Sequence, residues 1–121
     1  MHEMSIAVQI VDQVVELAGQ NNATRIDEVV VEIGLMQLVV PEALEMAFSV
    51  ATESTLAEGA RLKIVEQEIE AVCRDCDHRY KPRIDCYLCP QCGQANARIV
   101  AGNDIILKSV VCETEQEAQL P

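Results

Sequence analysis

Ala7, Ile10, Val11, Val14, Leu17 and Ala18 recur at three- and four-residue intervals, while Gln9, Asp12, Gln13 and Glu16 fall mostly between them. That period puts the apolar set on one stripe of an amphipathic helix. Gly19 and Asn21-Asn22 supply its stop signal. The period then changes to two: Val29, Val31 and Ile33 share one face, Glu28, Val30 and Glu32 the other, so 26–33 reads as a strand closed by Gly34. Pro41 stands where a first helical residue is tolerated, and Leu44, Ala47, Phe48 and Ala51 continue from it as a second helical stripe. After Gly59 a second strand runs over 61–70, with a slip in alternation between Ile64 and Val65. A bulge explains the slip, and so does an exit from the sheet towards whatever follows. Gly102-Asn103 marks a turn, and 104–111 reads as a third strand with Ile105, Leu107 and Val111 on one side.

The resulting order is helix, strand, helix, strand, a cysteine-rich segment, strand. Two helices with one apolar stripe each bury them against one face of a small sheet, and the last strand returns to that sheet. The expected fold is therefore α+β: a three-stranded sheet with two helices on one face, carrying an inserted zinc-ribbon-like module. The expected divisions are an α+β domain over 1–70 completed by strand 103–112, a metal-binding module over 71–102, and an acidic, polar tail over 113–121 without fixed structure. The crossings near Ala71 and Gly102 read as hinges.

Cys73-Arg-Asp-Cys76 and Cys89-Pro-Gln-Cys92 form two C-x2-C pairs twelve residues apart. Each pair fits one edge of a tetrahedral thiolate site, and four sulfurs leave no open position, which points to a structural Zn(II). Pro90 and Gly93 complete a knuckle in which Gly tolerates dihedrals that other residues avoid. Cys86-Tyr-Leu-Cys89 is also a C-x2-C, so Cys86 is an alternative to Cys89, and His78 inside the intervening loop is a further possible ligand. The module holds too little aliphatic mass for a core of its own, so the metal is expected to hold it folded. A single redox pair in a thioredoxin-like βαβ setting does not match two pairs around a polar loop.

Composition narrows the picture. Of 121 residues 50% are hydrophobic, yet Trp is absent and Phe48, Tyr80 and Tyr87 are the whole aromatic complement, so the core must be aliphatic. The chain opens without a basic segment or an apolar signal core, and no apolar run is long enough to cross a bilayer. A cytoplasmic protein with reduced thiols is expected, without a membrane role and as a monomer or weak homodimer. The net charge of -11 repels a phosphate backbone, which argues against nucleic acid. No Ser/His/Asp set, phosphate-cradling glycine loop or open three-ligand zinc site is present, so the chain does not read as an enzyme.

Met1-His2-Glu3 is the second stretch with metal chemistry. An α-amine, the amide nitrogen between the two residues and His2 Nδ1 close adjoining chelate rings on one metal, a nitrogen set that favours tetragonal Ni(II) or Cu(II) over Zn(II). Glu3 offers a further ligand, or an incoming partner supplies it.

Taken together, Met1-His2-Glu3-Met4-Ser5, Val31-Glu32-Ile33-Gly34, Pro41-Glu42-Ala43-Leu44 with Ala47-Phe48, Leu56-Ala57-Glu58-Gly59-Ala60, the paired knuckles and Ile106-Leu107-Lys108-Ser109 resemble the HypA/HybF family of hydrogenase maturation factors over nearly the whole length. The resemblance implies a nickel metallochaperone that works with the GTPase HypB and delivers Ni(II) to the large subunit precursor of a [NiFe]-hydrogenase, with urease as another client in some bacteria. It implies His2 as nickel ligand with Glu3 beside it, and Cys73, Cys76, Cys89 and Cys92 as zinc ligands. Cys86 and Cys112 are thiols that the family pattern does not require. The competing class is a zinc-stabilised protein-interaction adaptor that transfers no metal.

Overall fold

The computed structural model describes residues 2–114. Helix α1 spans His2–Gln20 and buries Ile6, Ala7, Ile10, Val11, Val14 and Ala18. Leu17, expected on that stripe, is instead exposed in the last turn, where it rims a shallow cleft with Val110 and Cys112. Strand β1, Ala23–Gly34, is longer than its β-branched centre suggested and buries Ile26, Val29, Val31 and Ile33. A single 3-10 turn, Leu35–Gln37, follows, and Leu38 takes a left-handed conformation after it. Helix α2, Pro41–Ala51, starts with Pro at its head and buries Leu44, Ala47 and Phe48.

The second predicted strand is two strands in two sheets. Strand β2, Arg61–Gln67, and strand β3, Glu70–Cys73, are separated by Glu68 and buried Ile69. The slip in alternation thus marks an exit from the first sheet. Strand β4 is Arg79–Tyr80, β5 is Ala97–Ala101, and β6 is Ile105–Thr114. One sheet has the order β2-β1-β6 and the other β4-β3-β5. The class is α+β, with two three-stranded sheets and two helices, α1 and α2, that pack against each other.

Strand β6 departs from expectation in two ways. Its half-buried positions are Ile105 and Leu107, then Val110 and Cys112, so the alternation shifts and Val111 faces solvent. It also takes in Glu113 and Thr114, where Arg25 Nη2 meets Glu113 Oε1 at 2.8 Å and Thr24 Oγ1 donates to the Glu113 carbonyl. The rest of the expected acidic tail, 115–121, lies outside the described residues.

The chain packs as two compact units. One consists of Glu32–Leu38 and Val65–Ile106, and the other takes in the remainder of the described chain. Backbone hydrogen bonds explain why the end of β1 belongs with the cysteine-bearing unit: Gly34 N–H donates to the Asp104 carbonyl (2.8 Å) and Met36 N–H to that of Gly102 (3.0 Å). A Cβ on Gly34 would run into the Gly102 carbonyl, so glycine is required by this close approach. No helix among the described residues is long and apolar enough to cross a membrane.

Candidate metal centre

Strand β3 delivers Cys73 at its end, pairs antiparallel with β4 through Ala71↔Tyr80, and pairs antiparallel with β5 through Cys73↔Ala97. The two C-x2-C turns are copies of each other in their backbone bonds. Asp77 N–H donates to the Cys73 carbonyl and Gly93 N–H to the Cys89 carbonyl, each at 2.8 Å. Cys73 N–H in turn donates to His78 O (2.9 Å), and Cys89 N–H to Gln94 O (3.0 Å). The residue four after each first cysteine is left-handed, with φ of 75° at Gly93 and 61° at Asp77. Glycine signals that position in the second knuckle. In the first, Asp, which tolerates the left-handed region better than most residues, hides it from a sequence search for glycine.

The knuckles bring Cys73, Cys76, Cys89 and Cys92 together with all four Sγ atoms within 4.8 Å of one another, the one such cluster among the described residues. Cys73 and Cys92 sulfurs lie 3.6 Å apart, as do those of Cys76 and Cys89. A tetrahedral thiolate site with bonds of about 2.3 Å needs sulfurs about 3.8 Å apart, close to the two 3.6 Å separations, so the donor set is of a kind that fits Zn(II). At Cys89 burial opposes ionisation, but the N–H groups of Cys92 and Gln91 outweigh it and bring the thiol down to about 7. At Cys76 the His78 N–H favours the thiolate, yet burial and the sulfurs of Cys89, Cys92 and Cys73 prevail and push it up to about 12. A dication bound among the four sulfurs would favour their thiolate forms and displace their protons. Burial, and after it the nearby sulfur charges, also raises the Tyr80 hydroxyl, which stays protonated to donate to the Tyr87 carbonyl at 2.7 Å.

Of the other expected participants, Cys86 is exposed and outside the cluster. Its N–H donates to the Arg83 carbonyl to close a tight turn. The His78 ring stacks on Tyr80, 4° from parallel, and is likewise not in the cluster. Cys112 is half buried on β6. The Tyr80–Tyr87 brace was not anticipated, and a lone tyrosine in β4 carries no local signal for it.

His2 opens α1 with its side chain 50% exposed, and its Nδ1 lies 3.5 Å from Glu3 Oε2. Glu3 is only 18% exposed, and the same oxygen accepts from Val40 N–H at 3.5 Å. Its own backbone N–H is the largest influence lowering the Glu3 carboxyl pKa, with lesser help from Val40 and His2. Glu3 is therefore a carboxylate shared between the imidazole and the head of α2. The α-amine of Met1, expected as a co-ligand, lies outside the described residues.

Residues 1–112 match the family model described as hydrogenase/urease nickel incorporation, metallochaperone, HypA. The chain belongs to the HypA family. It is 37% identical to the hydrogenase maturation factor HypA of Aquifex aeolicus, over 95% of this chain and 100% of the relative. It is 39% identical to the HypA of Chlorobium luteolum, over 97% and 100% of the two chains. The solution structure of the Ni metallochaperone HypA from Helicobacter pylori superposes with a TM-score of 0.70 at 32% identity, covering 95% of this chain and 100% of that one. A second HypA solution structure gives 0.72 at 33% identity, covering 95% and 98%. HypA membership agrees with the α+β fold.

Proposed function

We propose that the chain carries Ni(II) at its N-terminal turn and, with a GTPase partner of the HypB type, delivers it in the cytoplasm to the large subunit precursor of a [NiFe]-hydrogenase. Zn(II) held by Cys73, Cys76, Cys89 and Cys92 is a fixed structural ion in this reading, and nickel is cargo. The observation that carries it is chemical. This chain belongs to a nickel-incorporation family, and the one tight ligand cluster among its described residues is a four-sulfur set, saturated by one tetrahedral ion, so the cargo needs another seat. His2 offers one: an exposed imidazole with a carboxylate beside it, on the first turn of a helix.

The position on α1 suits a reversible site. The first N–H groups of a helix have no intrahelical acceptor, so an amide that gives up its proton to nickel breaks no helical bond. The partial positive charge of the helix start opposes a dication, and the Glu3 carboxylate partly offsets it. Binding is held but shallow, and the unfilled coordination positions admit a partner's ligand. Affinity alone does not select nickel over copper, so docking with the partners completes the selection. Urease, which the family description also names, is the second client class.

The test is metal analysis of purified protein with and without His2→Ala. One zinc and one nickel per chain are expected, with nickel alone lost on substitution. N-terminal acetylation should likewise abolish nickel uptake. A chain that holds zinc but takes up no nickel with a free terminus is an adaptor, and the carrier reading falls.

A further inference from the structure

The β4-β3-β5 sheet is packed on one face and charged on the other. Ala71, Cys73, Tyr80, Ala97 and Ile99 form the packed side with Cys76 and Cys89. Neighbouring positions of a strand face opposite ways, so Val72, Arg79 and Arg98 fall on the other side. Val72 is the direct cross-strand partner of Arg79 on β4 and of Arg98 on β5, so the two arginines flank it, each about 5 Å away across the sheet. Arg74 extends the row along β3: its N–H donates to the Asn96 carbonyl at 2.9 Å, which carries the β3–β5 pairing one step beyond Cys73. All three arginines and Val100 are exposed. The carboxylates close by are already engaged. Glu70 Oε1 meets Arg79 Nη1 at 2.7 Å and Asp75 Oδ1 accepts from Asn96 Nδ2 at 3.2 Å, whereas neither Arg74 nor Arg98 forms an ion pair among the described residues. Residues 71–102 as a whole hold five of the nine cations against three aspartates, in a chain of net charge -11. The arginine face thus stands against the charge of the rest of the protein.

We propose that this face docks an acidic segment of a partner protein, with an aliphatic side chain of the partner over Val72 and its carboxylates on Arg74, Arg98 and Arg79. A guanidinium takes a carboxylate through two parallel N–H bonds, so three of them around one aliphatic residue select an acid–aliphatic–acid pattern that charge or apolar area alone does not. A phosphate backbone fits less well. A long polyanion is repelled by the net charge of -11, and Val72 and Val100 offer no aromatic platform for bases to stack on. The sheet is held by its own pairing and by the knuckles, so docking has little beyond the arginine side chains to order. The inference goes beyond nickel carriage and does not depend on whether His2 binds metal.

Titration of the full, zinc-loaded chain into a fluorescein-labelled peptide, in which leucine is flanked on both sides by paired glutamates, tests it by anisotropy, with backbone amide shifts reporting the place. The peptide should bind, with shifts concentrated at 72–74, 79 and 98. Arg74→Glu and Arg98→Glu should each weaken binding by about tenfold. The double variant should release the peptide and take up its lysine counterpart instead. Lys63→Glu, at an exposed position of β2, changes the net charge by as much as either and should leave binding nearly unchanged. Serine in place of the peptide's leucine should weaken it. Zinc content reports folding of the variants, and the preference of the unaltered protein for the glutamate over the lysine peptide stands whatever any variant does. No binding of the glutamate peptide, equal binding of the lysine or serine peptide, or an equal loss with Lys63→Glu overturns the proposal. A single-stranded oligonucleotide that displaces the peptide at lower concentration than the peptide itself assigns the face to phosphate and overturns it as well.

Discussion

The sulfur cluster and the N-terminal turn differ in how much of the protein holds each in place. Every cluster sulfur comes from a turn with its own backbone bonds; one end is anchored in β3, and Cys73, Cys76 and Cys89 pack with Ala71, Tyr80 and Ile99, while Cys92 is exposed. His2 has one 3.5 Å contact with Glu3 and half its surface in water. Preorganisation on the first scale suits an ion that is retained, and a half-exposed imidazole with one carboxylate beside it suits one that is passed on. The contrast between resident and passenger, in the proposed reading, is thus a contrast in supporting structure before it is one of donor type.

The largest effect should come from the buried side of that contrast. Cys73→Ala removes a fully buried sulfur, and the zinc binding free energy, on the order of 10 kcal/mol in small thiolate modules, is largely lost. Metal analysis should find no zinc, and amide exchange over 71–102 should lose protection while α1 and α2 keep theirs. Gly34→Ala comes next: its Cβ has no room against the Gly102 backbone, and overpacking of this kind costs about 1–3 kcal/mol, read by denaturant unfolding.

How far the sequence reveals all this varies with the range of the interaction. The α1 and α2 stripes were legible because helical period is local, and Leu17 escaped because a last-turn residue can rim a cleft while keeping the period. The cluster was legible because C-x2-C spacing is itself the geometry of a knuckle, down to Gly93. Asp77 was not, since a left-handed non-glycine leaves no mark in the sequence. Nor was the Gly34–Gly102 approach, which joins positions far apart along the chain. The phase shift within β6 that turns Val111 outward depends on pairing that alternation alone does not fix.

Two smaller predictions sharpen the comparison. Tyr80→Phe removes one hydrogen bond and should cost about 1 kcal/mol, leaving zinc bound while exchange quickens at 86–88. Cys86→Ser should change zinc stoichiometry not at all, because its sulfur stands outside the cluster.

The central claim, that one ion is built in and the other carried, is tested most directly by a chelator challenge. Protein loaded with one Zn(II) and one Ni(II) is mixed with excess chelator at neutral pH, and both metals are counted in the protein fraction over time, alongside His2→Ala loaded in the same way. The account predicts that nickel leaves early, that zinc stays far longer, and that the variant keeps its zinc and never takes up nickel. Zinc and nickel departing together, or nickel held as firmly in the His2→Ala chain, would contradict it.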